Sequence, residues 1–462
     1  MVMDWGRRTL LRITTTTAAT SLSLAALAGA AAAAPLTLAD AVARALEDGP
    51  QARIARLEAG QATDEFGEAR SVYLPHVGIS SQAGYSNRQD EKLRAVDRAG
   101  RERTYGLASL GSDEGWFNFY VQQLLFDLSK WRQVERAALS AEAARIAEDE
   151  RRETIALEVV RHYADVLRLR ELVTLDEERL AAVARLDAQA AALLETGRVL
   201  DAERAEATLH RESLRLALEG RREALADARR TLGRLTGEEP GDGEAVTVVA
   251  ESVPAVNALD PAAAEDALAD APELRVLDLR RRMEDLAVAA ARAERYPTVG
   301  LQAGYSHYGT KRFDNFDDEV AVGVDVRIPL FDGYKARHSI AGAVKGAEIA
   351  RLRYESAREA KRARVRELAR QLVRARREPA LAARRAELAR ERERLAGMRL
   401  RAARGTLAET LAAGAERERA AQAAIATRFD VVVLWATLQR EVGRLATALL
   451  GAAAGDTAEG AS

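Results

Sequence analysis

The residues that could do chemistry are few and scattered in this chain. It has five histidines, at His76, His162, His210, His307 and His338, and no cysteine. A metal centre or a catalytic triad needs several such side chains close together, and no histidine here has another nearby in the sequence. The lack of cysteine also excludes disulfides and thiolate metal sites. We therefore expect no enzyme activity, no metal and no cofactor.

Two carboxylates follow glycines that interrupt long helical runs. Asp201 lies four residues after Gly197, in GRVLD, and Glu409 lies four residues after Gly405, in GTLAE. Glycine relieves the backbone where a helix ends, so each glycine predicts the turn of a helical hairpin. Asp201 and Glu409 are therefore expected near the tips of two hairpins.

The composition is typical of a chain built from long helices. Of the 462 residues 30% are charged and only 5% are aromatic, and alanine, arginine, glutamate and leucine dominate. The formal net charge of -2 gives no electrostatic reason to bind nucleic acid, so we expect no nucleic-acid partner.

One stretch predicts an unusually long helix. From Asp127 to Thr196 there is neither glycine nor proline, which allows about 100 Å of continuous helix at 1.5 Å per residue. An apolar residue recurs in it every seven positions, at Val159, Val166, Val173 and Leu180. His162 and Asp176 interrupt this pattern, which favours packing among several neighbours over a two-stranded rod. Pro379 is expected to kink or break a second long helix.

Four short stretches alternate with period two, as strands do. They lie at 77–85, 116–126, 299–306 and 320–330, and the clearest, VAVGVDVRIPL, places valines on one side and small or charged residues on the other. Runs of about 9 to 13 residues suit tilted strands that cross a membrane. An ordinary soluble sheet capped by helices would give the same alternation.

The strands occur at matching points of an internal repeat. QAGYS appears at 82–86 and again at 302–306, and LFD precedes the long helix of each half at 125–127 and 330–332. In QAGYS, glutamine and glycine are expected on one face of the strand, and alanine and tyrosine on the other.

The repeat divides the chain into five predicted segments. These are a signal peptide at 1–34, a first repeat at 35–235, a linker at 236–261, a second repeat at 262–450 and a disordered tail at 451–462. Strands are predicted at about 74–86, 116–126, 297–308 and 319–331, and long helices at about 128–235 and 333–450. The signal peptide is inferred from a basic start, a short apolar stretch and the run AAAA.

Four strands per chain are too few for a closed barrel. A strand edge in lipid has nothing to satisfy its backbone hydrogen bonds, so membrane strands must close into a barrel of at least about eight. Two copies of the chain would supply eight strands and three would supply twelve. The strand count therefore predicts an oligomer and leaves the number of copies open.

The ordered motifs resemble one known family. LTLADAVARAL at 36–46, LGRLTG at 232–237, PELRVLDL at 272–279 and IPLFDGYKAR at 328–337 are similar to the outer membrane efflux protein family typified by TolC. The resemblance implies a mainly α fold with membrane β: long antiparallel coiled helices form a periplasmic tunnel, and four amphipathic strands per chain close as a 12-stranded trimeric barrel. It also implies an outer membrane exit duct of a Gram-negative tripartite efflux pump or type I secretion system.

The resemblance further implies partners and gate residues. The partners would be two further copies in a homotrimer, a periplasmic adaptor (membrane fusion protein), an inner-membrane transporter and outer membrane lipid. Family members carry acidic rings at the tunnel entrance, and Glu409 is the best match, with Asp201 as the corresponding candidate in the first half. Three carboxylates converging on an axis would repel one another and attract cations. A solvated helix charge is the alternative interpretation of Glu409.

Other residues are predicted to contact partners or the membrane. Arg399, Arg401 and Arg404 lie close to the second tip and are candidates for adaptor contacts. Tyr85, Tyr305 and Trp116 are candidate aromatic anchors at the interface between the barrel and the membrane.

The two long helical segments differ in charge. Residues 138–195 contain 8 basic and 13 acidic side chains, and residues 351–395 contain 16 and 7. Two solvated faces would explain this, but the two segments could also attract one another as neighbours in the tunnel wall, within or between chains. A periplasmic coiled-coil adaptor or scaffold without a barrel is the alternative function, and it would use the same helices.

Overall fold

A computed structural model describes residues 36–85, 92–96, 102–106, 113–195, 199–237, 267–310 and 315–451. The predicted signal peptide, Gly197, most of the predicted linker and nearly all of the predicted tail lie outside the described residues, as does the side chain of Tyr85.

The two halves of the chain repeat one order of elements. The first half contains α1 (Leu38–Glu47), α2 (Pro50–Ser71), β1 (His76–Tyr85), β2 (Lys92–Val96), β3 (Glu102–Gly106), β4 (Asp113–Phe126), α3 (Leu128–Glu195) and α4 (Asp201–Thr236). The second half contains a short 3-10 turn (Ala267–Asp270), α5 (Pro272–Ala293), β5 (Thr298–Thr310), β6 (Asn315–Arg327), α6 (Lys335–Ala375), α7 (Glu378–Arg401) and α8 (Leu407–Glu441). A last helical segment spans 445–451.

The four predicted strands form one antiparallel sheet in the order β1-β4-β5-β6. The central strand β4 pairs with β1 from its own half and with β5 from the other half. The strands β1 and β6 therefore lie at the two margins of the sheet, each with one edge unpaired in the described chain.

The sheet has one apolar face and one polar face, as the alternation predicted. Directly paired residues share a face, so the register links Ile79 to Phe119, Phe119 to Tyr305 and Tyr305 to Val320. The apolar face includes Val77, Ile79, Phe117, Phe119, Val121, Val299, Leu301, Ala303, Tyr305, Val320, Val322, Val324 and Val326, together with the polar residues Gln123, His307 and Asp318. The polar face includes Ser80, Gln82, Trp116, Asn118, Tyr120, Gln122, Gln302, Gly304, Ser306, Ala321 and Asp325. The second QAGYS is thus divided between the faces as expected.

A two-stranded hairpin was not predicted. The strands β2 and β3 pair with each other between β1 and β4, where the sequence indicated only a loop. This stretch, KLRAVDRAGRERTYG, is dominated by charged residues and lacks a consistent apolar side. Backbone pairing in a ribbon does not require such a side, so hydrophobic periodicity could not reveal it.

The two junctions between strand and helix differ in backbone geometry. In the first, the Asp127 carboxylate accepts a hydrogen bond from the Lys130 amide at 3.0 Å and caps α3 directly. In the second, Gly333 and Tyr334 both take left-handed conformations before α6 begins. The glycine that follows LFD is therefore needed only in the second half.

The helix α3 is the axis of the molecule. It runs unbroken for 68 residues, which confirms the predicted long helix. It contacts α1, α2, α4, α5 and α8, so the interrupted heptad pattern does correspond to several neighbours. Val159 and Val166 are buried in the main core, and Asp176, which breaks the pattern, forms a buried ion pair with Arg221 of α4 at 2.9 Å.

The main core lies at mid-height along α3 and holds both ends of the described part of the chain. The Tyr163 hydroxyl donates to the Leu36 carbonyl at 3.0 Å. The Glu153 carboxylate accepts hydrogen bonds from the amides of Leu445 and Ala446, at 2.7 and 3.2 Å, and so caps the last helical segment. Burial raises the pKa of Glu153, whereas these amides and Arg440 oppose the shift.

Each half has the same glycine joint at this level. Gly237 and Gly443 are both left-handed, with φ of 77° and 72°. Gly237 ends α4 against Asp48, just before α2, and Gly443 follows α8 and lies against Pro272, the first residue of α5. In each half, a helix from the lower part of the molecule therefore meets one from the upper part end to end.

The second half contains a further break that the sequence predicted. The helix α6 ends at Ala375 and α7 starts at Glu378, with Pro379 in its first turn. Beyond this break, α8 is the one described helix that is long and apolar enough to cross a membrane by length and composition. Its buried residues Trp435 and Leu438 belong to the main core, and core helices often share this composition.

We predict that Gly443→Ala destabilises the protein by about 1 to 3 kcal/mol. An alanine at this left-handed position is strained, and its Cβ would lie 2.5 Å from Cδ of Pro272. Thermal unfolding followed by far-UV circular dichroism in detergent would measure the loss. Gly220→Ala is the matched control, because Gly220 lies on an exposed part of α4 with no atom within 4 Å of a new Cβ. It should stabilise α4 by about 0.5 to 1 kcal/mol. Equal effects of the two changes would contradict the role of the joint.

Candidate functional site

The two helical hairpins meet at one end of the molecule, opposite the sheet. The turn between α3 and α4 and the turn between α7 and α8 share a small apolar cluster. Its buried residues are Ala190, Val199, Ala207, Leu400, Leu407 and Leu411. The cluster holds both turns at the same level, and this end of the molecule is called the tip below.

Glu409 lies at the tip and caps a helix. Its carboxylate accepts a hydrogen bond from the Thr406 amide at 3.3 Å, and its own amide donates to the Thr406 hydroxyl at 3.1 Å. This reciprocal pair is a capping box at the start of α8. The Glu409 side chain remains exposed, so its charge lies at the positive end of the helix dipole and faces solvent in the single chain.

The residue that corresponds to Glu409 in the first half is Glu203. The Glu203 carboxylate accepts from the Leu200 amide at 3.0 Å, three residues inside α4, as Glu409 does in α8. Asp201 is the exposed first residue of α4. Counting residues from the glycines singled out Asp201. The sequence signature of a capping box would not have found Glu203, because the N-cap residue is Leu200, whose side chain cannot accept a hydrogen bond.

Gly405 is needed for close packing rather than for a left-handed backbone. The left-handed residue in this turn is Ala403, with φ of 57°. A Cβ on Gly405 would lie 2.9 Å from Cβ of Arg399 and 3.2 Å from the Glu409 carboxylate. Arg399, Arg401 and Arg404 are exposed around this turn and give the tip a basic surface.

A buried ion cluster joins the two hairpins above the tip. Arg179 of α3 is only 5% exposed, and its guanidinium lies 2.7 Å from the Glu393 carboxylate of α7. A second carboxylate, Glu418 of α8, lies 3.9 Å from Arg179 Nε, and Arg417 binds the other oxygen of Glu393 at 2.9 Å. Burial lowers the pKa of Arg179, and the two carboxylates oppose the shift.

Gly414 makes room for the Arg179 side chain. A Cβ at Gly414 would lie 2.1 Å from an Arg179 nitrogen, so the guanidinium lies directly on the α8 backbone. The sequence did not reveal this cluster, because Arg179 and Glu393 are 214 positions apart and each resembles an ordinary charge on a solvated helix. A glycine within an otherwise alanine-rich helix is the one signal that could have pointed to it.

Further ion pairs hold α3 to its neighbours. Asp187 accepts from Arg211 at 2.5 Å and from Thr208 at 3.0 Å, both on α4. Glu171 of α3 pairs with Arg428 of α8. The acidic residues of α3 are thus matched by arginines of α4 and α8 within the chain. These ion pairs do not neutralise the excess of basic side chains at 351–395.

The other candidate residues lie on the sheet. The Tyr305 side chain is on the apolar face, and its hydroxyl donates to Asp318 at 2.9 Å. Trp116 is on the polar face, where its indole nitrogen lies 3.3 Å from the Gln82 side-chain oxygen. The two aromatic residues therefore face opposite sides of the sheet. The polar face also carries a groove of about 630 Å³.

The described residues of the two ends of the molecule differ in character. Within the described ranges, no group of three His, Asp or Glu side chains is placed to hold a metal ion. What the structure offers is a polar sheet face at one end, a charged helical tip at the other and a long helical body between them.

Comparisons of the sequence with known proteins match part of this chain. Residues 263–444 match the family described as outer membrane efflux protein. The chain is also 27% identical over 322 residues to the fusaric acid resistance protein FusA of Burkholderia cepacia. That match covers 66% of this chain and 57% of FusA, so the chain spans less than two thirds of this relative's length.

Solved structures share the fold over most of the chain. The outer membrane protein VceC of Vibrio cholerae superposes with a TM-score of 0.72 at 16% identity, covering 88% of this chain and 96% of VceC. The outer membrane channel CmeC of Campylobacter jejuni gives 0.72 at 15%, covering 88% and 86%. The open state of the MtrE channel of Neisseria gonorrhoeae gives 0.71 at 17%, covering 88% and 89%. The predicted fold class is therefore confirmed for the single chain.

We predict that Arg179→Met destabilises the protein by about 3 kcal/mol. The change leaves Glu418 and part of Glu393 without the cation that compensates their burial. Far-UV circular dichroism during thermal unfolding would report the loss. The matched control is Arg419→Met, since Arg419 is 78% exposed and only 3.7 Å from Glu416 on its own helix. That change should cost less than about 0.5 kcal/mol. A similar loss in both variants would rule out a special role for the buried cluster.

Proposed function

Because residues 263–444 form an outer membrane efflux protein domain on a fold shared with outer membrane channels, we propose that this protein is the outer membrane exit duct of an efflux pump. The observation that carries the proposal is the sheet, with one face apolar and exposed and the other polar. It sits at one end of a helical body that contains a 68-residue helix.

The exposed apolar face supports placement in a membrane. Val320, Val322 and Val324 are 75%, 72% and 62% exposed in the single chain, and an apolar patch of this extent is unfavourable in water. Lipid would cover this face, while the polar groove on the opposite side would line an aqueous passage. The protein would then lie in the outer membrane with its helices in the periplasm.

The open margins of the sheet support a trimer. Lipid cannot satisfy the unpaired backbone groups of β1 and β6, so each margin must pair with another copy. The family resemblance favours three copies over two, which gives a barrel of twelve strands. The helices of the three copies would then form one tunnel through the periplasm.

The proposed partners follow from the basic tip. Arg399, Arg401 and Arg404 are exposed around the second turn and would contact a periplasmic adaptor, which connects the duct to an inner-membrane transporter. The similarity to FusA, named as a fusaric acid resistance protein, supports the efflux of small toxic compounds as the cargo class.

The gate proposal places the constriction at the tip. Three copies of Glu409 would converge near the axis and form a ring that attracts cations. Its role as a helix cap fixes the position of the carboxylate, which is a requirement for such a ring. Asp201 remains the candidate in the first half, and Glu203, which occupies the position equivalent to Glu409, is a further one.

A periplasmic adaptor or scaffold without a barrel is the second candidate function. It would need the same long helices and the same tip. It gives no reason for four strands with a continuous exposed apolar face, so the sheet favours the duct.

The position of the sheet can be tested with two neighbouring residues. Val322 lies on the apolar face and Ala321 on the polar face of the same strand. We predict that Val322→Lys blocks assembly in the outer membrane, because lysine in the middle of the lipid-facing band costs about 2 to 4 kcal/mol in each copy. Ala321→Lys should assemble and shift the conductance in a planar bilayer towards anions. Equal tolerance of both changes in a soluble periplasmic protein would support the scaffold instead.

The gate can be tested without disturbing the helix cap. Glutamine also serves in a capping box, so Glu409→Gln removes the charge and retains the hydrogen bond to Thr406. We predict that divalent cations block the variant channel less strongly than the original in bilayer recordings. Glu416→Gln, an exposed change further along α8, is the control and should leave the block unchanged. Unaltered block in Glu409→Gln would remove this residue from the gate.

A further inference from the structure

Two aromatic side chains lie on the polar face of the sheet. Trp116 and Tyr120 both belong to β4, and residues four positions apart in a strand share one face. At about 3.3 Å per residue, the two positions are about 13 Å apart along the strand. The aromatic residues Phe117 and Phe119 of the same strand lie on the apolar face, which the proposed duct places in lipid. Trp116 and Tyr120 face the aqueous side instead, so contact with lipid does not explain them.

The indole ring of Trp116 is both exposed and held in place. The residue is 39% exposed in the single chain. Its Nε1 donates a hydrogen bond to the side-chain oxygen of Gln82 at 3.3 Å. Gln82 is the residue directly paired with Trp116 on the neighbouring strand β1, so this bond orients the ring across the two strands. The ring therefore presents a flat apolar surface at a fixed position.

The ring of Tyr120 leans across the strand pair onto Gly78. A Cβ built on Gly78 would lie 2.5 Å from both Cζ and the hydroxyl oxygen of Tyr120, so the end of the ring covers the β1 backbone. On the other side of Tyr120, the register continues with Gly304 of β5 and Ala321 of β6. These paired residues are small, and they leave that side of the ring open.

The polar groove beside Tyr120 has the size of a small-molecule site. Its volume is about 630 Å³, and ligand sites in proteins span about 300 to 1,000 Å³. Tyr120 lines the groove together with the small residues Gly304, Ala321 and Gly323. Gln302 also lines it and offers an amide for hydrogen bonding. The groove thus combines an aromatic ring, a floor of small residues and a polar group.

A structural role explains only one of the two rings. An aromatic side chain can shield a paired glycine and so stabilise a strand pair, and Tyr120 does this for Gly78. Trp116 pairs with Gln82, which has a side chain of its own. Trp116 therefore leaves apolar surface in contact with water without shielding a glycine. Stacking with a planar compound would cover that surface.

We propose that Trp116 and Tyr120 are two stacking sites for planar aromatic cargo on the inner wall of the barrel. Such a compound stacks on Tyr120, which is nearer to α3, and then on Trp116 further along β4. Two weak sites in series suit a passage, because a compound must bind well enough to enter and loosely enough to leave. The proposal rests on the proposed duct, for which it names a class of cargo.

The test compares two neutral compounds of similar size. Benzamide is planar and aromatic, whereas cyclohexanecarboxamide carries the same amide on a saturated ring. Saturation-transfer difference NMR measures their binding to the intact protein in lipid vesicles, and empty vesicles correct for partition into lipid. We expect benzamide to bind about 2- to 12-fold more tightly, which is the contribution of one aromatic pair beyond its buried area.

Replacing the two rings should remove this preference. We expect Trp116→Gln combined with Tyr120→Asn to reduce benzamide binding to the level of cyclohexanecarboxamide. Trp116→Phe and Tyr120→Phe keep an aromatic ring and should keep the preference. Phe119→Leu is the matched control, because it removes a ring from the opposite face of the same strand. It should leave the binding of both compounds unchanged.

A gain of binding provides a second test that removes no side chain from the sheet. Gly323 lies on the polar face and lines the groove, and a Cβ added there meets no atom within 4 Å. Gly323→Trp adds a third ring and should increase the amount of benzamide bound. Gly323→Gln adds a polar side chain at the same position and should not. Equal benzamide binding by these two variants would contradict stacking as the source of the preference.

The outcomes separate this inference from the proposed function. Equal binding of the two compounds would overturn the stacking sites, while oligomers on native gels and channels in bilayers would leave the duct standing. A preference that survives the loss of both rings, or one that Phe119→Leu abolishes, would overturn them as well. If the unaltered protein forms neither oligomers nor channels, the proposed function fails and the stacking sites fail with it.

Discussion

Unpaired backbone groups at the margins of the four-stranded sheet impose the main constraint on this molecule. A sheet whose broad face is apolar is suited to lipid, yet lipid offers no partner for a free N–H or C=O group. Among its described residues the chain meets this constraint only in part, since β1 and β6 each keep one open edge. The helices below follow the same division, with α2 and α4 beneath one edge and α6 and α7 beneath the other. The sheet and the helices beneath it therefore form one wall that is incomplete in the single chain.

The two halves of the chain share one arrangement of elements, with local differences. Gly237 and Gly443 form equivalent joints, and Glu203 and Glu409 form equivalent caps. The halves differ at the junction between strand and helix. Asp127 caps α3 directly, whereas the second junction contains two left-handed residues. Equivalent backbone roles are thus kept even where the side chains that fill them have changed.

Periodic features could be predicted from the sequence, and isolated contacts could not. The four strands, the long helix from Leu128 to Glu195 and the break at Pro379 all follow from spacing and from glycine and proline positions. The β2–β3 hairpin has no hydrophobic periodicity and was missed. Arg179 was also missed, because the sequence does not distinguish a buried arginine from a solvated one on a helix. Its partner, Glu393, lies more than two hundred positions away.

The pairing of β4 with β5 has a consequence for how the chain folds. Ser306 and Asn118 are neighbours across these strands, 188 positions apart in sequence. Such a pairing has a high contact order. The conformational entropy of the intervening loop is lost before the contacts between the two strands can stabilise the sheet. The strand β4 is translated before β5, so it spends that interval with an apolar surface and a free edge exposed. Until β5 is available for pairing, the first half is prone to aggregation.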